Sequence, residues 1–507
     1  MFFKIFLAMK KIISALALTA LLALTATAQE PLREFRGAWM HIIGQEHYAK
    51  RTTAQNQAYL RQQLDRLKAA GVNAVIFQVR PQADAAYPSR LEPWSRWLTG
   101  TAGLAPKPVW DPLQFMITEA HKRGMELHAW INPYRVTSSK SDKPARSSVY
   151  YKHPEWFIRY ADGKIYFDPG LPESRDFIDK VVRDLLARYD LDAIHMDDYF
   201  YPYPVSGKEF PDDKSYEQYG NGMNRDDWRR HNVDLLIEQL HNTIAATKPW
   251  VRLGISPFGI WRNKKNDPRG SDTDGLQCYD ALYADCPLWT RRGWVDYMVP
   301  QLYWQLEHKR APTLELMHWW NTQANGRHMY YGLDVNNMMD HRDIAADGGD
   351  TTRNNQLYHK LEIMQRLDSV HGLVWWPGYS ITKNYKGVAD SLQTTTQAIP
   401  ALPAPYSWLD NVPPPPVTNL RLVTTKKGAK ALTWQPTVTT DPMQQAVRYV
   451  IYAWPAGDNH TATPESVWLI TGETRVTLPA TMQQHHFAVQ AVDRCNNLSA
   501  PATLSLD

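Results

Sequence analysis

Between residues 34 and 400 the chain alternates short apolar runs with longer amphipathic stretches. Two of the amphipathic stretches, residues 55–70 and 112–123, carry apolar positions at helical spacing, and Gly71 and Gly124 follow them, where a helix end favours a left-handed residue. The apolar runs are typical of parallel strands that are buried on both faces. The predicted strands are residues 35–41, 73–79, 126–132, 191–197, 252–258, 297–303, 328–334 and 372–376.

Eight strand and helix units in this order predict an α/β fold, a closed (β/α)8 barrel of the TIM type over residues 30–400. A doubly wound open sheet is the alternative. That fold usually has a glycine-rich phosphate-binding turn after its first strand, which this sequence lacks. The pattern therefore favours the barrel.

A proline-rich segment, residues 401–416, follows the predicted barrel. The run 413–416 consists of four prolines, which neither continue a helix nor fill a central strand. We therefore expect a stiff extended linker that few contacts cross. Residues 417–507 then alternate as short strands and predict a small all-β sandwich with no catalytic cluster, a spacer or docking module. Its predicted strands are 417–423, 431–434, 448–453, 466–470, 475–478 and 486–492.

The first 28 residues have the layout of a cleavable secretory signal. Lysines precede an apolar stretch at residues 12–24, and Ala26-Thr27-Ala28 lies ahead of Gln29. The apolar stretch is too short for an ordinary transmembrane helix. We expect residues 1–28 to be a signal peptide, the mature protein to be periplasmic or extracellular, and no stable membrane insertion after cleavage.

Composition narrows the partners and cofactors. Lysine and arginine exceed aspartate and glutamate by four, and three of these positive charges lie in the predicted signal. Because no dense basic patch remains, nucleic acid is not an expected partner. The 20 tryptophans and 26 tyrosines lie mostly in polar stretches, which suits contact with sugar rings. His41, His128 and His195 form no closely spaced ligand motif, so neither a metal nor another cofactor is expected.

The three cysteines allow at most one internal disulfide bond. Cys278 and Cys286 are the plausible pair in an oxidising compartment, and free buried thiols are the alternative.

Polar residues gather at the carboxyl ends of the predicted strands, where barrel enzymes build their sites. On the fourth strand His195, Asp197 and Tyr199 share one face, so Asp197 is expected to point into the barrel mouth. Asp198 either holds a nearby backbone amide or arginine, or turns into the cleft. In the structural alternative, both aspartates cap the next loop. Paired carboxylates repel each other, however, and are typically found at functional sites.

The other strand ends supply side chains that suit a sugar. Arginines bind carboxylates or hydroxyls, amides both donate and accept hydrogen bonds, and aromatic rings stack on sugar faces. For Trp375, packing in the core is the alternative. The candidate substrate-binding residues are Arg36, Trp39, Gln78, Arg80, Asn132, Tyr134, Arg135, Tyr199, Gln301, Trp304 and Trp375.

Several motifs along residues 34–400, in order, resemble the glycosyl hydrolase-like 10 family of secreted bacterial proteins. The resemblance implies a (β/α)8 glycosidase-like fold that acts on bacterial glycans, with peptidoglycan strands among the implied substrates. Residues 487–499 resemble the final hairpin of a fibronectin type III module, which often follows this family. The motifs include Phe35-Arg36-Gly37-Ala38-Trp39, Asn132-Pro133-Tyr134-Arg135, Asp197-Asp198-Tyr199-Phe200 and Pro300-Gln301-Leu302-Tyr303-Trp304.

Glycoside hydrolysis normally requires one carboxylic acid and one carboxylate. Asp197 is the first candidate for an essential carboxyl. Asp198 and Asp84 are both candidates for the second, because both match motifs of the family. Alternatively, Asp197 with Tyr303 resembles the chitinase-type barrel, in which the N-acetyl group of the substrate attacks, although Tyr199 replaces the acidic residue of that pattern. We expect a secreted hydrolase of O-glycosidic bonds in a poly- or oligosaccharide. The alternative is a non-catalytic glycan-binding protein on the same barrel.

Overall fold

The structure is a computed structural model that describes residues 31–455 and 463–505. The predicted signal peptide, residues 1–28, lies outside the described residues.

Within the described residues, eight parallel strands close into a barrel. Each strand pairs with the next along the chain, and the last pairs with the first. The predicted (β/α)8 barrel is therefore confirmed. The strands are β1 (Phe35–Met40), β2 (Ala74–Arg80), β3 (Glu126–Ile131), β4 (Ala193–Met196), β5 (Arg252–Ile255), β6 (Tyr297–Met298), β7 (His328–Asp334) and β8 (Val370–Trp376).

Helices connect successive strands. The first begins where Thr52 and Gln55 cap each other reciprocally, and Gly71, with a φ of +86°, lies just past its end. Shorter helices lie in the loops: Arg96–Thr99, Val149–Lys152, Asp213–Tyr219, Cys278–Ala281 and Val335–Asp340. The main helices are α1 (Thr53–Ala69), α2 (Pro112–Lys122), α3 (Pro172–Arg188), α4 (Arg225–Thr247), α5 (Cys286–Arg292), α6 (Thr313–Asn321), α7 (Leu357–Gln365), α8 (Gly378–Thr382) and α9 (Val388–Thr394).

The strands are apolar on both faces because each face packs in a different core. Outward residues such as Met40 and Phe77 belong to the large core that the helices cover. Inward residues such as Phe35, Tyr297 and Tyr330 form a separate core inside the barrel. Strands β4, β5 and β6 are shorter than predicted, because their polar carboxyl ends leave the regular pairing.

The C-terminal region contains two antiparallel sheets, which confirms the predicted all-β sandwich. Strands β9, β10 and β13 form one sheet, and β12, β11, β14 and β15 form the other, in that order. Leu432 of the first sheet and Ile451 and Phe487 of the second share one core. The strands are β9 (Thr418–Thr424), β10 (Lys430–Gln435), β11 (Arg448–Pro455), β12 (Val467–Thr471), β13 (Arg475–Thr477), β14 (His485–Val492) and β15 (Ala502–Leu504).

The proline-rich segment packs on the amino-terminal end of the barrel, so the expectation of few contacts is wrong. Ala401–Leu402 pairs in parallel with Leu32–Arg33. Tyr406 is fully buried, with its hydroxyl 2.8 Å from that of Tyr330, and Trp408 donates its indole N–H to Asp296 at 2.8 Å. Prolines prevent a helix here, but an extended chain still presents aromatic side chains that fill the barrel end.

Two further features of the structure concern the cysteines and the lengths of the helices. Cys278, Cys286 and Cys495 are buried and unbonded in the structure. Over residues 31–455 and 463–505, the helices fall short of the length and apolar character that a membrane crossing requires.

Candidate active site

A cavity of about 410 Å³ opens at the carboxyl-terminal end of the barrel. Its wall comes from β1, β2, β3 and β8 and from the segments directly after β1, β3, β4, β5 and β6. The lining residues are Trp39, Ile43, Gln78, Trp130, Arg135, Asp197, Asp198, Tyr199, Tyr203, Ser256, Gln301, Tyr303 and Trp376.

Asp197 lies one residue after β4 and is 5% exposed. Its Oδ1 accepts a hydrogen bond from the Asn132 amide at 2.9 Å, and its Oδ2 accepts one from the Trp130 indole at 3.1 Å. Burial raises the pKa of Asp197 to about 6, against the opposing charge of Arg135 and with a further increase from Asp198. The carboxyl is thus held in one orientation by neutral donors.

Asp198 lines the same cavity and is 3% exposed. Tyr203 donates its hydroxyl to Oδ2 of Asp198, and burial raises the pKa of this carboxyl. Neighbouring residues face one cavity here because β4 ends at Met196, so strand alternation no longer separates them. Two buried carboxyls in one cavity favour a state in which the pair retains a proton.

An aromatic wall surrounds these carboxyls. The ring of Tyr303 stacks on Trp376 with centroids 6.5 Å apart, and Trp39 meets both rings edge-on. Trp130 also contacts Trp376, at 6.2 Å. Burial holds the pKa of Tyr303 well above its usual value, so its hydroxyl keeps a proton to donate.

Arg135 is the one cation among the described residues that line the cavity. Its Nε and Nη2 donate to the Pro81 carbonyl at 2.9 and 2.8 Å, and its guanidinium lies 4.8 Å from the centre of the Tyr199 ring. Gln78 is held similarly, since its Oε1 accepts hydrogen bonds from two backbone N–H groups at 3.1 Å each. Both side chains face the cavity with part of their polar groups already engaged.

Gln301 and Asn132 have different positions relative to the cavity. Gln301 lines it and donates Nε2–H to the Ser256 carbonyl at 3.0 Å. Asn132 is fully buried outside the lining, where it orients Asp197. We therefore assign Asn132 to the support of a carboxyl, which corrects its expected place among the groups that contact substrate.

Two predicted binding residues lie away from the cavity. Arg36 is at the amino-terminal end of β1, where it pairs with Glu34 at 2.6 Å and donates to the Ile399 carbonyl at 2.8 Å. Trp375 is fully buried in the core under the helices, and the next residue, Trp376, lines the cavity. The residue of β8 that faces the cavity is therefore Trp376, one position after the predicted Trp375.

Four more predicted residues lie outside the cavity lining. Arg80 forms a buried two-point pair with Glu92 at 2.6 and 2.7 Å. Tyr134 is buried in the outer core, and Trp304 lies outside the cavity lining and packs against a phenylalanine ring. Asp84 is buried, with a pKa that burial raises to about 7, but it is not part of the cavity wall. Of the two candidates for the second carboxyl, Asp198 lines the cavity and Asp84 does not.

Five lining residues are not among the candidates that the sequence predicts: Ile43, Trp130, Tyr203, Ser256 and Trp376. Trp130 could have been found, because strand alternation places it on the same face as His128. Tyr203 lies in an irregular loop after β4, where no periodicity indicates its direction.

A (β/α)8 barrel with two carboxyls and a tryptophan and tyrosine wall at its carboxyl-terminal opening is the arrangement of a glycosidase-type enzyme. The profile of the glycosyl hydrolase-like 10 family matches residues 34–348, and the chain belongs to this family. Its enzyme class is that of a glycoside hydrolase.

Comparisons with known proteins give the following similarities. Glycosyl hydrolase YngK of Bacillus subtilis (strain 168) is 41% identical over 434 residues, 83% of this chain and 82% of that protein. Glycosyl hydrolase DigH of Escherichia coli (strain K12) is 40% identical over 319 residues, 58% of this chain and 71% of that protein. The solved PgaB (BpsB) glycoside hydrolase domain from Bordetella bronchiseptica is 13% identical, with 74% of this chain and 100% of that chain covered and a TM-score of 0.46.

Proposed function

We propose that the protein is a secreted glycoside hydrolase that cleaves O-glycosidic bonds in a bacterial glycan, with peptidoglycan glycan strands as its substrate. The observation that supports this most strongly is the pair Asp197 and Asp198 inside one aromatic-walled cavity. The aromatic rings suit the apolar faces of sugars, and the carboxyls suit the bond between them.

The chemistry follows from the two neighbouring carboxyls. Because the pKa of Asp197 is about 6, this carboxyl gains and loses a proton within reach of neutral pH. The member of the pair that carries a proton donates it to the glycosidic oxygen as the bond to the anomeric carbon breaks, and the ionised member stabilises the positive charge on that carbon until water adds to it. The charge of Asp198 contributes to the raised pKa of Asp197, so the protonation of one carboxyl affects the other. Tyr303 keeps its proton and donates a hydrogen bond to the substrate from the same wall.

Asp197 with Tyr303 also suits a route in which a 2-acetamido group of the sugar attacks the anomeric carbon. Both side chains line the cavity, and Asp84, which the two-carboxylate route could otherwise use, is outside it. Strands with N-acetylated sugars and matched de-N-acetylated strands separate the two routes. Cleavage of both favours the two-carboxylate route, and cleavage of the acetylated strand alone favours substrate assistance.

The test uses purified protein with peptidoglycan glycan strands that carry or lack stem peptides, and mass spectrometry of the products. We expect shorter glycans with a new reducing end from at least one strand type. Binding without any cleavage would support the alternative function, a non-catalytic glycan-binding protein. Neither binding nor cleavage would contradict the proposed substrate.

Two further properties belong to this proposal. Export rests on the signal-like pattern of residues 1–28, and fractionation of cells that express the full chain or a chain without these residues tests it. We also propose that the C-terminal region is a fibronectin type III-like module, supported by its two antiparallel sheets. An experimental structure that shows a different strand connection would contradict that assignment.

A further inference from the structure

A chain of polar side chains crosses the barrel interior from the cavity wall to the opposite end. Trp39 lines the cavity, and its indole N–H donates to Nε2 of His195 at 3.1 Å. Nδ1 of His195 lies 3.1 Å from the Tyr297 hydroxyl, which lies 2.8 Å from Nδ1 of His128. Nε2 of His128 lies 2.9 Å from Oε2 of Glu126. We call these five residues the interior chain.

The chemistry of its two ends fixes the direction of every hydrogen bond. An indole N–H only donates, so Nε2 of His195 accepts, and a neutral His195 carries its hydrogen on Nδ1. Tyr297 accepts that hydrogen bond and donates its single hydrogen to His128. His128 then donates from Nε2 to Glu126, whose carboxylate only accepts. Burial lowers the pKa of both histidines, which is consistent with their neutral forms.

The C-terminal region holds the far end of the interior chain. Nη1 of Arg448, on β11, lies 3.2 Å from Oε1 of Glu126, and the Asn496 amide lies 3.3 Å from the same oxygen. Arg252, at the start of β5, donates to the other oxygen. Burial alone would raise the pKa of Glu126, but the charges of Arg252 and Arg448 hold it well below its usual value. Glu126 is thus fixed as an acceptor.

The orientation of Trp39 is set by ring contacts with Tyr303 and Trp376 and by its hydrogen bond to His195. Its ring packs over Gly332, where an added Cβ would lie 2.8 Å from Cη2 of the indole. Glycine leaves room for the ring but offers no side chain to orient it. The hydrogen bond to His195 therefore limits rotation of the indole within the cavity wall.

We propose that Arg448 and Asn496 are positioning residues that orient the cavity wall, acting on the Trp39 indole through the interior chain. The all-β region then contributes to the orientation of the cavity wall. The effect on glycan binding rests on the proposed function, whereas the effect on the indole does not.

The experiment compares Tyr297→Phe and Arg448→Met with the wild type. Tyr297→Phe removes the central hydroxyl and keeps the ring. Tyr330→Phe is the matched control, because Tyr330 belongs to the same interior core and its hydroxyl contacts Tyr406 and His328 instead. The first readout is the indole ¹H–¹⁵N resonance of Trp39, assigned with Trp39→Phe. Imidazole ¹⁵N shifts report the histidine tautomers.

We expect the Trp39 resonance to shift in Tyr297→Phe and Arg448→Met but to stay in place in Tyr330→Phe. With a cleavable glycan, KM should rise about two- to ten-fold in the first two variants while kcat is retained. An unmoved resonance in Tyr297→Phe or in Arg448→Met would overturn the proposal, as would an equal shift in the Tyr330→Phe control. The resonance is read without glycan, so failure of the proposed function would not be confused with failure of this inference.

Discussion

The two ends of the barrel bury carboxyl groups in opposite electrostatic surroundings. At the mouth, Asp197 and Asp198 accept hydrogen bonds from neutral groups, and burial raises the pKa of both. At the opposite, amino-terminal end, which we call the floor, Glu126 lies between the guanidinium groups of Arg252 and Arg448. These groups hold the pKa of Glu126 low. Burial is common to both ends, so the charge of the partner decides whether a carboxyl can exchange a proton near neutral pH.

The cation at the mouth, Arg135, does not pair with a carboxyl as the arginines around Glu126 do. Its charge lowers the pKa of Asp197, but its Nε and Nη2 donate to a backbone carbonyl, and it forms no ion pair with the residues that the structure describes. A carboxyl without a direct cationic partner is available to act as an acid or a base, whereas the carboxylate of Glu126 is committed to structure.

Asp198→Asn should produce the largest loss of activity. It removes one ionisable group from the mouth, and we expect kcat to fall about 10²- to 10⁴-fold while the fold is retained. Tyr203→Phe is the matched control, because it keeps the carboxyl and removes a hydrogen bond that lowers its pKa. That control should move the acid limb of the kcat–pH profile to higher pH. Wild-type turnover by Asp198→Asn would remove this residue from the mechanism.

Glu126→Gln should show the largest effect on stability. It leaves two buried guanidinium groups without their carboxylate, which costs about 3–5 kcal/mol of unfolding free energy in denaturant titrations. Glu362→Gln breaks a pair with Arg353 in which both side chains are about one-third exposed (38% and 32%), and it should cost less than about 1 kcal/mol. Equal losses in both variants would contradict the special role of the floor.

The pH dependence of stability should distinguish the mouth. A pKa of Asp197 near 6 in the folded state, against about 3.9 in the unfolded state, means that the folded protein binds this proton more tightly. Its contribution is therefore fully present below pH 4 and is lost as the pH rises through 6. Between pH 4 and 8 the wild type should lose about 2–3 kcal/mol relative to Asp197→Asn. Parallel stability curves for the two proteins would show that the pKa is not raised.

Trp376→Ala should produce the smallest effect. Loss of one ring from the wall should weaken binding by about 1–1.5 kcal/mol, seen as an increase in KM of up to about ten-fold. Trp375→Phe is the control, since Trp375 is buried outside the cavity and should affect melting temperature and not KM. The reverse pattern would restore Trp375 as the wall residue.

Most of the fold could be predicted from the sequence, because the apolar runs mark the strands and the strands of the barrel pair in chain order. Each of the eight predicted runs contains or overlaps one barrel strand. The proline-rich segment was misjudged because backbone restriction says nothing about where Tyr406 and Trp408 pack. The role of Arg448 and Asn496 at the floor depends on contacts distant along the chain, which one sequence does not reveal.

The site was predictable only as far as strand periodicity extends. Asp197 and Gln78 lie on or next to strands and line the cavity as expected. Beyond Met196 and Met298, where β4 and β6 end, alternation no longer assigns a direction to a side chain. Asp84, in the loop after β2, carries suitable chemistry but lies outside the wall.

The most direct test of the site compares the turnover of glycan strands by Asp197→Asn and Asp84→Asn. Both carboxyls are buried with a raised pKa, about 6 and about 7, but only Asp197 lines the cavity. We predict that kcat falls about 10²- to 10⁴-fold in Asp197→Asn and stays close to the wild-type value in Asp84→Asn. Retained turnover in Asp197→Asn, with turnover lost in a folded Asp84→Asn, would contradict the assignment of the mouth as the active site.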